Sequence, residues 1–184
     1  MSVLENDVKD TILRLFAHDE AVIDAETQGR LALWATMKAI LFDQLADTAY
    51  IPRYFGHHLR IERKPHAGTY VWMAAYHDPS DGLSMNQRLI YAKDDGQVIA
   101  VCITFTFIRL TFQVLIPFYP GTLAEMESFG GSVIQLFPST TDHLAWPPPY
   151  RFDGQSIGAL EQRIHDNRKS VAVTVRLAST HPRA

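Results

Sequence analysis

The chain has 184 residues, of which 47% are hydrophobic and 20% are charged, and its formal net charge is −3 at pH 7. This length predicts one domain spanning residues 1–184, since globular domains are of comparable size. The composition is that of a chain with an ordinary hydrophobic core. The negative net charge excludes a protein whose whole surface binds nucleic acid, although it permits a local basic patch.

The cysteine content and the apolar runs exclude several further classes. Cys102 is the only cysteine, which excludes a disulfide framework and a cysteine-built zinc site. The first turns of the chain are amphipathic and carry acidic residues, unlike a signal peptide. Polar residues interrupt the longest apolar region, residues 98–118, so no membrane span is predicted. We therefore expect a cytoplasmic protein that does not associate with membranes.

Helical patterns dominate the N-terminal part of the chain. Ser2 and Glu5 stand in capping-box order before apolar residues at helical spacing, which predicts a first helix. Asp24 is predicted to cap a longer second helix. A third helix is predicted in IPRYFGHHLRIERKP, which has one proline in its first turn and another after its end. The predicted ranges are 2–17, 24–47 and 51–65.

The pattern changes to strands after the third helix. Runs of β-branched and aromatic residues bounded by turn residues are typical of antiparallel strands. A short late helix is predicted within residues 153–164. This order predicts an α+β fold in which N-terminal helices pack on a mostly antiparallel, twisted sheet, with one late helix. The predicted strands are 69–77, 88–92, 98–118, 132–138 and 170–177, and the predicted core aromatics include Trp34, Trp72 and Trp146.

A change of parity marks the longest strand-like run. Apolar residues occupy odd-numbered positions before Ile108 and even-numbered positions after Arg109. Side chains alternate strictly along a strand, so this change requires a bulge or a tight turn. We therefore predict either two adjoining antiparallel strands or one long strand with a bulge. The apolar residues concerned are Ile103, Phe105 and Phe107 before the change, and Leu110, Phe112 and Val114 after it.

Lys38 is the first of three candidate sites. The sequence contains no Gly-rich phosphate loop, no nucleophile elbow, no H-E-x-x-H and no paired Cys-x-x-Cys motif. A lysine in the middle of an apolar helical stripe must extend to solvent or pair with a carboxylate. We predict a carboxylate partner or a position beside a cleft. A structural ion pair and contact with an anionic ligand are both compatible with the pattern. The predicted neighbours are Leu31, Trp34, Leu41, Phe42 and Leu45.

The second candidate, which we name the basic row, consists of Arg53, His57, Arg60 and Lys64. The spacing of these residues would align them on one helical face. Four Lys and Arg residues against Glu62 give residues 53–66 a local charge of +3. Such a row is typical either of phosphate contacts or of an ordinary solvated helix face. No cofactor is predicted.

The third candidate is a group of histidines, His57, His58, His66 and His77, with Asp78. Metal sites combine imidazole with carboxylate, and histidine is a frequent general base. Because the spacing matches no established ligand pattern, we expect no metal at His57, His66, His77 and Asp78. A hydrolase or nuclease that uses this group is an alternative function. A further alternative is a sheet that encloses a small molecule in an apolar pocket.

Several stretches of the chain resemble one group of proteins. MSVLENDVKDTI, VIDAETQGRLALWATMKAI, a VW strand, RLTFQVL, IQLFP and AWPPP are similar to the region downstream of the nuclease motif in uncharacterised bacterial HNH-endonuclease-like proteins. The resemblance extends from Ser2 to about Leu160. It implies a non-enzymatic companion domain that binds a partner protein or nucleic acid, and Lys38 matches a polar position of the resembled motif.

The same resemblance implies where the nuclease segment would lie. In the HNH proteins the metal-binding histidines precede this region, so nuclease activity is carried over to no residue of this chain. The resemblance therefore implies that the chain begins where the companion domain begins in those longer proteins, with Ser2 and Glu5 capping the helix that would follow the nuclease segment.

Overall fold

The computed structural model describes residues 3–17, 21–76, 83–91, 96–119, 133–149 and 170–173. Within these ranges the chain forms three helices, α1 (Val3–Phe16), α2 (Ala25–Leu45) and α3 (Arg53–Glu62). It also forms eight strands there, β1 (Ala21–Asp24), β2 (Tyr70–Ala75), β3 (Leu83–Tyr91), β4 (Val98–Phe107), β5 (Leu110–Pro117), β6 (Ile134–Phe137), β7 (His143–Trp146) and β8 (Ser170–Val173).

The strands build two antiparallel sheets. One has two strands, β1 and β7, and the other has six strands in the order β6-β2-β5-β4-β3-β8. Every strand pair in both sheets is antiparallel. The predicted α+β class with a mostly antiparallel sheet is therefore confirmed. The predicted late helix lies outside the described residues.

The ends of the helices follow local capping rules. The Asp24 carboxylate accepts a hydrogen bond of 2.7 Å from the Thr27 N–H, and this backbone hydrogen bond lowers the pKa of Asp24. Helix α3 begins directly after Pro52, two residues after the start of the predicted range. It ends at Arg63, which has a left-handed φ of 54° and donates its N–H to the Leu59 carbonyl at 3.1 Å.

The change of parity at Ile108 is a tight turn. Phe107 pairs with Leu110, Phe105 with Phe112, and Ile103 with Val114, so the two apolar sets face the same side of the β4-β5 hairpin. This register confirms two adjoining strands, and the alternative of one bulged strand is wrong. The connecting residues are Ile108 and Arg109. Ile108 has φ 57°, a left-handed conformation that costs a side chain of this kind about 1–2 kcal/mol.

The hydrophobic core lies between the six-stranded sheet and helices α1 and α2. Trp34 of α2 packs edge-on against Phe105 and Phe112, with ring centroids 6.2 and 5.4 Å apart. These edge-to-face contacts add to the stabilisation from area burial. The predicted core tryptophans Trp34, Trp72 and Trp146 are all buried.

The opposite face of the β4-β5 hairpin is also buried, but it carries polar side chains. The Gln113 amide donates to the Thr104 hydroxyl at 3.0 Å, and the Thr106 and Thr111 hydroxyls lie 3.0 Å apart. Each pair joins neighbouring strands directly across the ladder. Pairing of this kind offsets the cost of burying a polar group.

The small sheet was not predicted from the sequence. Ala21 pairs with Trp146, and Asp24 pairs with His143. Both strands have only four residues and adjoin stronger local signals, the Asp24 helix cap in β1 and the prolines that follow Trp146 in β7. Strand β3 also begins five residues before the predicted strand at residue 88.

Within the described ranges, no helix combines the length and the apolar character that crossing a membrane requires.

Candidate nucleic-acid interface

Helix α3 packs on the rest of the fold through one narrow face. Phe55 and Leu59 are its buried residues. Leu59 packs with Leu33 of α2, and the Phe55 ring lies 6.0 Å from the ring of Phe118, just beyond β5. The outer face of α3 is exposed. Helix α3 therefore lies beside the open end of the β4-β5 hairpin, opposite the Ile108–Arg109 turn, and its outer face is on the protein surface.

The buried carboxylate of Asp43 holds the connection that leads into α3. It accepts hydrogen bonds from the Tyr50 N–H at 3.0 Å and from the Ile51 N–H at 2.9 Å. It also accepts a hydrogen bond of 2.6 Å from the Gln87 amide on β3. Asp43 therefore ties the end of α2, the α2–α3 connection and the sheet together, and it fixes where α3 begins.

Three members of the basic row share the outer face of α3. Arg53, His57 and Arg60 are exposed on the helix. Lys64 is also exposed, but it follows the left-handed Arg63 that ends the helix. The prediction of four aligned residues on one helical face is therefore wrong for Lys64. The left-handed Arg63 ends the helical repeat before Lys64 is reached.

Arg63 forms an ion pair with a described residue, whereas the arginines and the lysine of the basic row do not. Arg63 lies 3.7 Å from the Asp7 carboxylate of α1. Among the residues that the structure describes, Arg53, Arg60 and Lys64 have no carboxylate within 4.0 Å. Glu62, at the end of α3, is the acidic residue of this helix.

Two exposed tyrosines lie at the same surface. Tyr54 is 49% exposed and Tyr119 is 46% exposed. The Tyr54 ring stacks on Phe55 with centroids 4.3 Å apart and an interplanar angle of 28°. Burial of its phenol raises the pKa of Tyr54, and nearby Tyr119 raises it further. Neither tyrosine was predicted from the sequence, although an aromatic residue directly after Arg53 was a signal for Tyr54.

Lys38 has the carboxylate partner that the sequence predicts. Its Nζ lies 2.6 Å from Glu5 Oε1 and 5.7 Å from the centre of the Trp34 ring. The Lys38 and Glu5 side chains are 25% and 30% exposed. The predicted apolar stripe is wrong in part, because Leu41 and Leu45 are exposed. Lys38 therefore lies at the border of the buried face of α2, and it joins α2 to α1.

We expect Lys38→Met to lower the free energy of unfolding by less than about 1 kcal/mol, because water still reaches both charges and screens them. Methionine also keeps the packing of the aliphatic stem. Urea denaturation of Lys38→Met, Glu5→Gln and the double variant would measure the coupling, which we expect to be about 0.2–1 kcal/mol. A loss of about 3 kcal/mol or more would contradict this, since it would indicate a desolvated ion pair.

The histidine group is only partly within the described residues, because His77 and Asp78 lie outside them. The His66 ring contacts His58, with centroids 4.9 Å apart, and not His57. His57 is exposed on the outer face of α3. Within the described ranges, no three metal-ligating side chains come together.

No protein-family model, curated protein or solved structure matches the chain. The interpretation of the α3 surface therefore rests on its charge, its exposure and its aromatic residues.

Proposed function

We propose that the chain is a nucleic-acid-binding domain whose basic row contacts the phosphate backbone. The observation that carries this proposal is the exposure of Arg53 and Arg60 on the outer face of α3, and of Lys64 just beyond its end, without a carboxylate partner among the described residues. An exposed cation that is already paired contributes little to the binding of an anion. Clustered, unpaired lysines and arginines supply the sequence-independent part of nucleic-acid affinity.

The dimensions of α3 support the same interpretation. Arg53 and Arg60 stand two helical turns apart, which corresponds to about 10 Å along the helix axis. A strand of B-form DNA carries one phosphate for about every 3.4 Å of duplex axis. Arg53 and Arg60 are therefore far enough apart to contact different phosphates of one strand.

The resemblance to the companion domain of HNH-endonuclease-like proteins supports a binding role as well. In this proposal the domain holds nucleic acid for a nuclease segment on another part of the protein or on a partner. Its own contribution is binding, not catalysis.

The double variant Arg53→Ala/Arg60→Ala tests this proposal. We expect it to weaken binding of a labelled oligonucleotide at least tenfold, as measured by fluorescence anisotropy. We also expect the slope of log K against log[salt] to fall by about 2, since each phosphate-contacting cation contributes about 1.

Arg30→Ala is the matched control, because Arg30 is exposed on α2 and is paired with Glu26. Its affinity and salt slope should equal those of the parent. The proposal is wrong if the parent does not bind, or if the double variant binds with unchanged affinity and unchanged salt dependence.

A further inference from the structure

We infer that this surface prefers single-stranded to double-stranded nucleic acid, because Tyr54 and Tyr119 offer stacking surfaces for unpaired bases beside the basic row. The inference rests on the proposed function, since the phosphates must first be held by the basic row. Nothing in the length, charge or motifs of the chain distinguishes the two kinds of nucleic acid.

Contacts with Phe55 and His66 position the Tyr54 ring. This ring stacks on Phe55 at 4.3 Å, and Phe55 is almost completely buried. The ring of His66 lies 6.0 Å away at an interplanar angle of 71°. About half of Tyr54 stays exposed. A ring that is already positioned loses little conformational entropy when a base stacks on it, so the contact retains most of its energy.

Tyr119 is positioned from the sheet. Its hydroxyl accepts a hydrogen bond of 2.7 Å from the Gln97 amide. The preceding residue, Phe118, contacts Phe55 beneath α3 at 6.0 Å between ring centroids. The end of β5 therefore brings Tyr119 to the edge of α3, and the effect of its phenol on Tyr54 agrees with this proximity.

The physical difference between the two ligands lies in their bases. In a duplex the bases stack on each other, so only the phosphates are available to this surface. In a single strand the base faces are free, and each base that stacks on an aromatic side chain raises the affinity about 5- to 150-fold, with little dependence on sequence. Exposed cations next to exposed aromatic rings are the combination that single-strand binders use.

The experiment compares the full chain and its variants on a labelled oligothymidylate and on a duplex of the same length, at one salt concentration. We expect the parent to bind the single strand more tightly. Tyr54→Ala should weaken single-strand binding about tenfold or more and leave duplex binding unchanged. Tyr54→Phe should bind like the parent, because stacking requires the ring and not the hydroxyl.

Ile61→Ala is the matched control, because Ile61 is an exposed apolar residue of the same helix without a π-system. It should leave both affinities unchanged. Circular dichroism of each variant would verify that α3 is intact. Tyr54→Phe preserves the packing of the ring, so its affinity for the single strand should equal that of the parent.

The outcomes separate this inference from the proposed function. If Arg53→Ala/Arg60→Ala weakens both complexes and Tyr54→Ala weakens neither, the proposed function holds and the preference for single strands is wrong. Tighter binding of the parent to duplex would overturn the preference as well. If neither oligonucleotide binds the parent, both proposals fail.

Discussion

Replacing Asp43 with alanine should lower the free energy of unfolding by about 3–5 kcal/mol. The carboxylate is fully buried, and its removal takes the acceptor from the Tyr50 and Ile51 N–H groups and the Gln87 amide. It also removes the longer hydrogen bond of 3.4 Å from the exposed Gln44 amide. Each buried donor without a partner costs about 1–3 kcal/mol, and partial rearrangement reduces the total. Urea or thermal denaturation would measure this loss.

Two further substitutions show whether the loss comes from these hydrogen bonds. Asp47→Ala removes an exposed carboxylate just beyond α2 and should change stability by no more than about 0.5 kcal/mol. Asp43→Asn keeps one acceptor oxygen and should fall between the parent and Asp43→Ala. If Asp43→Ala costs less than about 1 kcal/mol, Asp43 does not hold the α2–α3 connection as described.

Trp34→Ala should also cost about 3–5 kcal/mol, the usual range for removing a large aromatic side chain from a core. Trp34 fills the space between α2 and the sheet through its contacts with Phe105 and Phe112. Alanine is a good helix former, so the loss would come from the cavity and not from helix propensity. Trp34→Phe keeps part of the volume and should cost clearly less.

Leu45→Ala is the control on the same helix, because Leu45 is largely exposed. It should alter the denaturation midpoint only slightly. Near-UV circular dichroism of Trp34→Phe would show whether the aromatic packing around Phe105 and Phe112 is retained. A cost below about 1 kcal/mol for Trp34→Ala would mean that the core rearranges to fill the cavity, contrary to expectation.

The candidate site could be predicted only in part. Basic and titratable residues at helical spacing predicted Arg53, His57 and Arg60 on one face, and all three lie there. Lys64 was misplaced because nothing in an arginine at position 63 indicates a left-handed residue, which glycine or asparagine normally provides. Tyr54 and Tyr119 are 65 positions apart in the chain, and only the packing of α3 against the end of β5 brings the segments that carry them together.

The amino-acid sequence by itself determined the features that depend on neighbouring residues. These are the Asp24 cap, the presence and order of the three helices and the break in the strand pattern at Ile108, since capping, periodicity and parity act over a few positions. Tertiary structure decided the pairing of β1 with β7 and the bond from Gln87 to Asp43, whose residues are 44 positions apart. Such contacts depend on which segments the hydrophobic core brings together, and a single sequence does not specify those distances. Lys38 illustrates the local and the tertiary contribution. Its apolar neighbours along the helix predicted a carboxylate partner for its ammonium group, but only the packing of α1 on α2 selected Glu5, 33 positions away.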